Sequence, residues 1–95
     1  MAEEIIVRKR DSTKKGGFSE IVAWKVPVSD SYPEGIKYSF TYIKDEKRIL
    51  AIDNYNSEGH HIHIEDMKFP FDFIDLETTR KIFKRLVEII ENVEN

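Results

Sequence analysis

The chain contains no cysteine. That excludes a disulfide framework and a thiolate zinc site. Its three prolines and four glycines are scattered, and no proline-rich linker, low-complexity tract or internal repeat is present. No apolar run approaches the ~18 residues that a membrane-spanning helix needs. Neither sign of charge dominates: 15 Lys and Arg stand against 18 Asp and Glu, a net charge of −3, so there is no overall pull toward nucleic acid. A glycine-rich phosphate loop, a helix-turn-helix and a nucleophile elbow are all missing. Any enzyme built on this chain is therefore expected to work with acid–base groups and without an organic cofactor. The opening Met1-Ala2-Glu3-Glu4 is acidic and lacks the apolar stretch of a signal peptide, which gives a cytoplasmic expectation with no membrane partner.

What is present is a hydrophobic content of 40% with 12% aromatic residues, too rich for a disordered chain. At 95 residues it is expected to form one domain, 1–95, around a single core. Two periodicities divide it: residues 3 to about 68 read as strands and about 75 to 94 as a helix. Glu4 to Arg10 is β-branched and then basic. The polar stretch Asp11 to Gly17 is a loop signal ahead of a second strand, Phe18 to Val28, in which Phe18, Val22, Trp24 and Val26 share one face. Pro27 and Pro33 bracket a turn. Lys37 to Lys44 alternates, with Tyr38, Phe40 and Tyr42 on one side. Arg48 to Asn54 is a fourth strand, Tyr55 to Gly59 a turn, and His60 to Glu65 a short fifth strand. Pro70 excludes a helix around Phe69 and Phe71. Asp75 then fits an N-cap, with Glu77 in the first helical turn. The apolar residues 76, 82, 83, 86, 87, 89, 90 and 93 cover a little under half of the helical wheel, and Arg80, Lys81, Lys84 and Arg85 fall in the remaining arc. The expected fold is α+β: an antiparallel meander of four or five strands with one C-terminal amphipathic helix packed on one face.

All three histidines, His60, His61 and His63, lie within one short segment. On a strand, His61 and His63 share a face and His60 takes the other. A hairpin across Asn54–Gly59 would set Asp53 opposite His60 and Ala51 opposite Ile62, within reach of a carboxylate–imidazole contact. Such a contact orients the ring for general acid–base work. The same cluster also fits a solvated strand, or an ion shared by His61 and His63 with Asp53 or Glu65 as third ligand. H-H-x-H is not a specific zinc signature, so no metal is assigned. Asp53-Asn54 is also an ordinary turn pair. Arg8, Lys9, Arg10, Lys14 and Lys15 line the first hairpin, a pattern that suits either phosphate contact or a solvated loop. Trp24, Tyr38, Phe40 and Tyr42 could stack bases if exposed, but an aromatic stripe on a strand facing a helix is more often core, and most of them are expected there. Tyr32 and Tyr55 fall in turns and are the expected exposed aromatics.

Four segments taken in order carry a family resemblance. They are Glu20-Ile21-Val22-Ala23-Trp24-Lys25-Val26-Pro27, Lys37-Tyr38-Ser39-Phe40-Thr41-Tyr42, Arg48-Ile49-Leu50-Ala51-Ile52-Asp53-Asn54 and Gly59-His60-His61-Ile62-His63. Together with the C-terminal helix they resemble the TumE family of toxin–antitoxin proteins. There a W-x-V-P strand precedes a Y-x-x-x-Y strand, an arginine-led strand ending in Asp-Asn, and a histidine cluster. The resemblance runs from about Phe18 to Val93. One departure is Ile52, where the family commonly has an aromatic residue. The resemblance implies a small toxin-like protein acting on RNA and neutralised by a DNA-binding antitoxin, and it points to Arg48, Asp53, Asn54, His60, His61 and His63. The expectation is thus a metal-independent endoribonuclease. His60, His61, His63, Asp53 and Arg48 would be catalytic, and Asn54, Tyr55, Arg8, Arg10, Lys14 and Lys15 would bind substrate. The alternative is a non-enzymatic module that binds an antitoxin-like or other partner through its sheet.

Overall fold

A computed structural model describes residues 3–55 and 58–93. Asn56 and Ser57, inside the expected turn Tyr55 to Gly59, and residue 94, at the expected end of the helix, lie outside the described residues. Strands β1 (Glu4–Ser12), β2 (Phe18–Lys25), β3 (Ile36–Lys44), β4 (Lys47–Asp53), β5 (His61–Ile64) and β6 (Met67–Pro70) precede helix α1 (Leu76–Val93). The strands form one sheet in the order β1-β2-β3-β4-β5-β6, with each neighbouring pair antiparallel. The meander and the C-terminal helix follow the sequence expectation, but among the described residues the strand count is six rather than four or five.

The additional strand is β6. Its signal is weak because it is short, ends on Pro70, and follows β5 across a turn containing only Glu65 and Asp66. An edge strand tolerates proline, since the missing amide faces no further neighbour in the sheet. Glu65 takes a positive φ of 52°, and Asp45 and Glu46, between β3 and β4, take 53° and 63°. Both hairpins thus use backbone conformations that favour glycine or asparagine, without either residue.

Alternation fixes which side chains reach the core. Tyr38, Phe40 and Tyr42 of β3, Leu50 and Ile52 of β4, and Ile21 and Ala23 of β2 are buried together under Phe83 and Val87 of α1. On β2 the expectation is reversed. Ile21 and Ala23 enter the core, while Val22 and Trp24 are only half-buried and belong to the face away from the helix. The competing pattern was Phe18, Val22 and Trp24, equally apolar at the same period.

The helix starts where expected. Asp75 accepts a 2.7 Å hydrogen bond from the Thr78 amide through Oδ1, which holds its carboxyl below the usual range. Thr79, Phe83, Val87 and Glu91 are the buried helical positions, one per turn. Glu91 is polar yet buried because the Tyr42 hydroxyl donates to its Oε2 at 2.8 Å. Burial alone would push the Glu91 carboxyl up. The hydroxyls of Thr13 and Tyr42, the Lys15 amide and the Lys44 charge outweigh it, and the net direction is down.

A folded-state pKa below the unfolded value stabilises the fold above the unfolded pKa, and that stabilisation is lost as pH falls through the folded one. Glu91→Gln should therefore lower stability at neutral pH and flatten the acid limb below the ordinary glutamate value of 4.5. Urea unfolding at a series of pH values checks this. An acid limb parallel to that of the parent would remove Glu91 from the account.

Candidate functional site on the open face of the sheet

Residues paired across antiparallel strands point to the same face. One row on the face away from α1 is Arg8, Val22, Ser39, Asp53 and His61; the next is Arg10, Glu20, Thr41, Ala51 and His63. The β4–β5 register differs by one residue from the expected hairpin: Asp53 faces His61 and Ala51 faces His63. A one-residue change in register moves side chains to the opposite face, and here it decides which histidines meet Asp53.

The reason lies in His60, which stays outside β5. Its ring stacks on Phe73 with centroids 4.5 Å apart and an interplanar angle of 11°. Its Nδ1 lies 2.9 Å from the Tyr38 hydroxyl and its Nε2 3.2 Å from Glu34 Oε1. Because a carboxylate only accepts, Nε2 carries the proton of the neutral ring and Nδ1 accepts from Tyr38. Tyr38 remains a proton donor, since burial, followed by the charges of Asp53 and Glu34, pushes its pKa well up. His60 thus locks the start of β5 on the helix side, apart from the other two histidines.

On the open face His63 Nε2 lies 3.4 Å from Asp53 Oδ2, both side chains being largely buried. The carboxylate favours the tautomer with the proton on Nε2, which leaves Nδ1 with a free lone pair. His61 Nδ1 donates to the Gly59 carbonyl at 3.3 Å, which leaves its Nε2 free. The two rings have centroids 6.3 Å apart. They line a cavity of about 220 Å³ with Arg48, Asp53, Tyr55, Glu58 and Lys68.

Arg48 reaches this cavity through a bulge. Tyr42 pairs with Leu50 but Ile43 pairs with Arg48, leaving Ile49 as the extra residue. Without it, Arg48 would share the helix-side face of Leu50; the shift turns it to the open side. Lys68 was not singled out in the sequence, because β6 was not recognised there. It is the register partner of His63 and an ion-pair partner of Glu58, at 2.5 Å. That pair holds the exposed Glu58 carboxyl below its usual range, the Lys68 hydrogen bond being the main cause. Tyr55 reaches the cavity with its amide donating to Asp53 Oδ1 at 3.4 Å.

The other candidates are distributed. Asn54 is buried rather than presented to a ligand. Its Oδ1 accepts from the Tyr38 amide at 3.0 Å and its Nδ2 donates to the Ile36 carbonyl at 2.7 Å, so it serves the backbone of β3. Arg8 and Arg10 lie on the open face, Arg10 with its guanidinium 4.0 Å from the centre of the Phe18 ring. Lys14 and Lys15 are elsewhere. With Lys9, Arg80 and Lys84 they line a groove of about 490 Å³ between the β1–β2 tip and α1. Alternation puts Lys9 on the face opposite Arg8 and Arg10, and the turn after β1 brings Lys14 and Lys15 to the same groove as Lys9. Among the described residues no three His, Asp or Glu side chains converge in a way that could hold a metal ion.

The family model described as Toxin TumE matches residues 2–95. The chain belongs to the TumE toxin family. The match spans more of the chain than the motifs alone, taking in β1 and the basic hairpin. No curated protein and no solved structure matches the chain significantly. In this TumE-family chain no described helix is long and apolar enough to cross a membrane.

Proposed function

We propose that this toxin-family chain is an endoribonuclease that needs no metal and works by histidine acid–base catalysis. The observation that carries the proposal is the convergence of Asp53, His61, His63 and Arg48 on one small cavity of the open face. In this reaction the ribose 2′-hydroxyl attacks the adjacent phosphorus and gives its proton to one imidazole. The other imidazole protonates the departing 5′-oxygen, leaving a 2′,3′-cyclic phosphate and a 5′-hydroxyl end. No protein nucleophile is required. His63, oriented by Asp53, and His61 each keep one ring nitrogen free for a proton. Arg48, with Lys68 beside it, offsets the charge that develops on the phosphorane. A DNA-binding antitoxin would be the neutralising partner.

The test is cleavage of a single-stranded RNA by the purified chain in the presence of a chelator. Joint replacement of His61 and His63 by alanine should abolish cleavage while the folded protein persists. Unchanged cleavage by that variant would sink the assignment.

A second reading is a partner-binding module without catalysis. It is favoured by the exposed apolar side chains of both sheet edges, Ile5 and Ile6 on β1 and Met67 and Phe69 on β6. A parent chain that leaves RNA intact, yet depends on a co-expressed partner for solubility, would support it.

A further inference from the structure

Next to the histidine cavity, Trp24, Lys37 and Tyr55 form a group that the catalytic proposal does not use. Trp24 and Lys37 are register partners on β2 and β3, and Tyr55 follows the end of β4. The Trp24 and Tyr55 rings lie 6.3 Å apart at 43°, tilted rather than face to face. Neither ring spends its π-face on the other, and both side chains are half-exposed. The Lys37 ammonium stands 5.6 Å from the centre of the Trp24 ring and 5.1 Å from that of Tyr55. Among the described residues it is in no ion pair with a carboxylate. Two half-exposed aromatic rings with a cation lying over them are a combination that holds a base and, once the ammonium swings to it, its phosphate.

The placement relative to the cavity is what gives the group direction. Trp24 and Lys37 lie two residues along their strands from Val22 and Ser39, which share a row with Asp53 and His61. Two residues of strand span about 7 Å, a step suited to successive nucleotides of an extended chain. Tyr55 belongs to both sites: its ring faces Lys37, and its amide donates to Asp53. Burial, ahead of the Asp53 charge, pushes its phenol up, so the ring stays neutral at physiological pH. Arg8, in the row of Asp53, adds a second cation on this side.

We infer that Trp24, Lys37 and Tyr55 form a nucleobase-stacking platform that takes one unpaired base of single-stranded RNA adjacent to the scissile phosphate. This rests on the ribonuclease reading of the neighbouring cavity and extends it to the substrate class. A duplex keeps its base faces stacked on one another and cannot use such a platform.

Trp24 is the only tryptophan of the chain, so its fluorescence reports the platform directly. The probe is a short 2′-O-methyl RNA oligonucleotide, which cannot be cleaved, so binding is read apart from chemistry. Titration should quench Trp24, and the same sequence as a duplex should bind at least tenfold more weakly. Tyr55→Ala should weaken binding by about 5- to 150-fold, and Tyr55→Phe should restore it. Lys37→Gln should reduce the slope of affinity against salt by about one. Equal affinity for single strand and duplex, or Tyr55→Ala binding as the parent does, overturns the platform even where cleavage is observed. Absence of quenching by any oligonucleotide also overturns it, leaving this face to a protein partner. Quenching with the expected Tyr55 losses, in a chain that cleaves no RNA, supports the platform and sinks the ribonuclease reading alone.

Discussion

His63→Ala is expected to lower the rate of RNA cleavage by about 10²–10⁴-fold, the usual contribution of a positioned acid or base. Its stability should fall by about 1–3 kcal/mol, because the largely buried Asp53 carboxylate loses a hydrogen-bond partner while the fold's core is untouched. Asp53→Asn tests the same contact from the other side. The asparagine amide is able to donate where His63 Nε2 needs an acceptor, which favours the wrong tautomer. Its loss of rate should approach that of His63→Ala. His60→Ala supplies the contrast. That ring lies across the sheet, tied to Tyr38 and Glu34 and stacked on Phe73. The variant should cost stability while cleavage changes by less than about tenfold, below the range for a catalytic acid or base. Single-turnover cleavage of a defined RNA, read beside urea unfolding, separates these cases. A folded His60→Ala protein without activity would move the catalytic site off the open face.

The helix, its cap at Asp75 and the consecutive strands were legible because each rests on local chemistry: a period of 3.6, a side-chain acceptor before the first turn, polar turns between alternating runs. The candidate site was legible in part, as a set of residues that the structure brings together. His61, His63, Asp53 and Arg48 were singled out, and they line one cavity. The histidine that meets Asp53 was not legible, because the β4–β5 register depends on where His60 is anchored, by residues 22 and 26 positions away in sequence. The position of Arg48 depends on a bulge that leaves no turn signal. Asn54 reads like a turn residue or a ligand, and only its two bonds to β3 show which task it has. Trp24 reads as one of an aromatic stripe that is more often core, yet Ile21 and Ala23, on the alternate positions of β2, are the residues buried under the helix. In each case a non-local contact chose between two locally equivalent patterns.

The largest loss of stability is expected from Phe83→Ala. Phe83 is 2% exposed and meets Phe40 edge-on, with ring centroids 5.8 Å apart. It sits in the buried stripe of Thr79, Phe83, Val87 and Glu91, and with Val87 it closes the core over Ile21 and Ala23 of β2, Tyr38, Phe40 and Tyr42 of β3, and Leu50 and Ile52 of β4. Few other large helical side chains are available to fill the space. The flanking Ile82, Leu86 and Ile90 are only partly buried, and Ile89 and Val93 are exposed. Truncation should therefore cost about 3–5 kcal/mol, a large share of the roughly 5–15 kcal/mol that holds a small domain folded. Phe83→Leu keeps most of the volume and should cost less than about 1.5 kcal/mol. Urea denaturation followed through Trp24 fluorescence reads both, since Trp24 lies on the opposite face of the sheet and reports unfolding without touching the altered residue. A Phe83→Ala loss below about 1 kcal/mol would mean that the sheet does not depend on the helix for its stability. The helix–sheet core would then not be what holds the open face, and with it the histidine pair, in place.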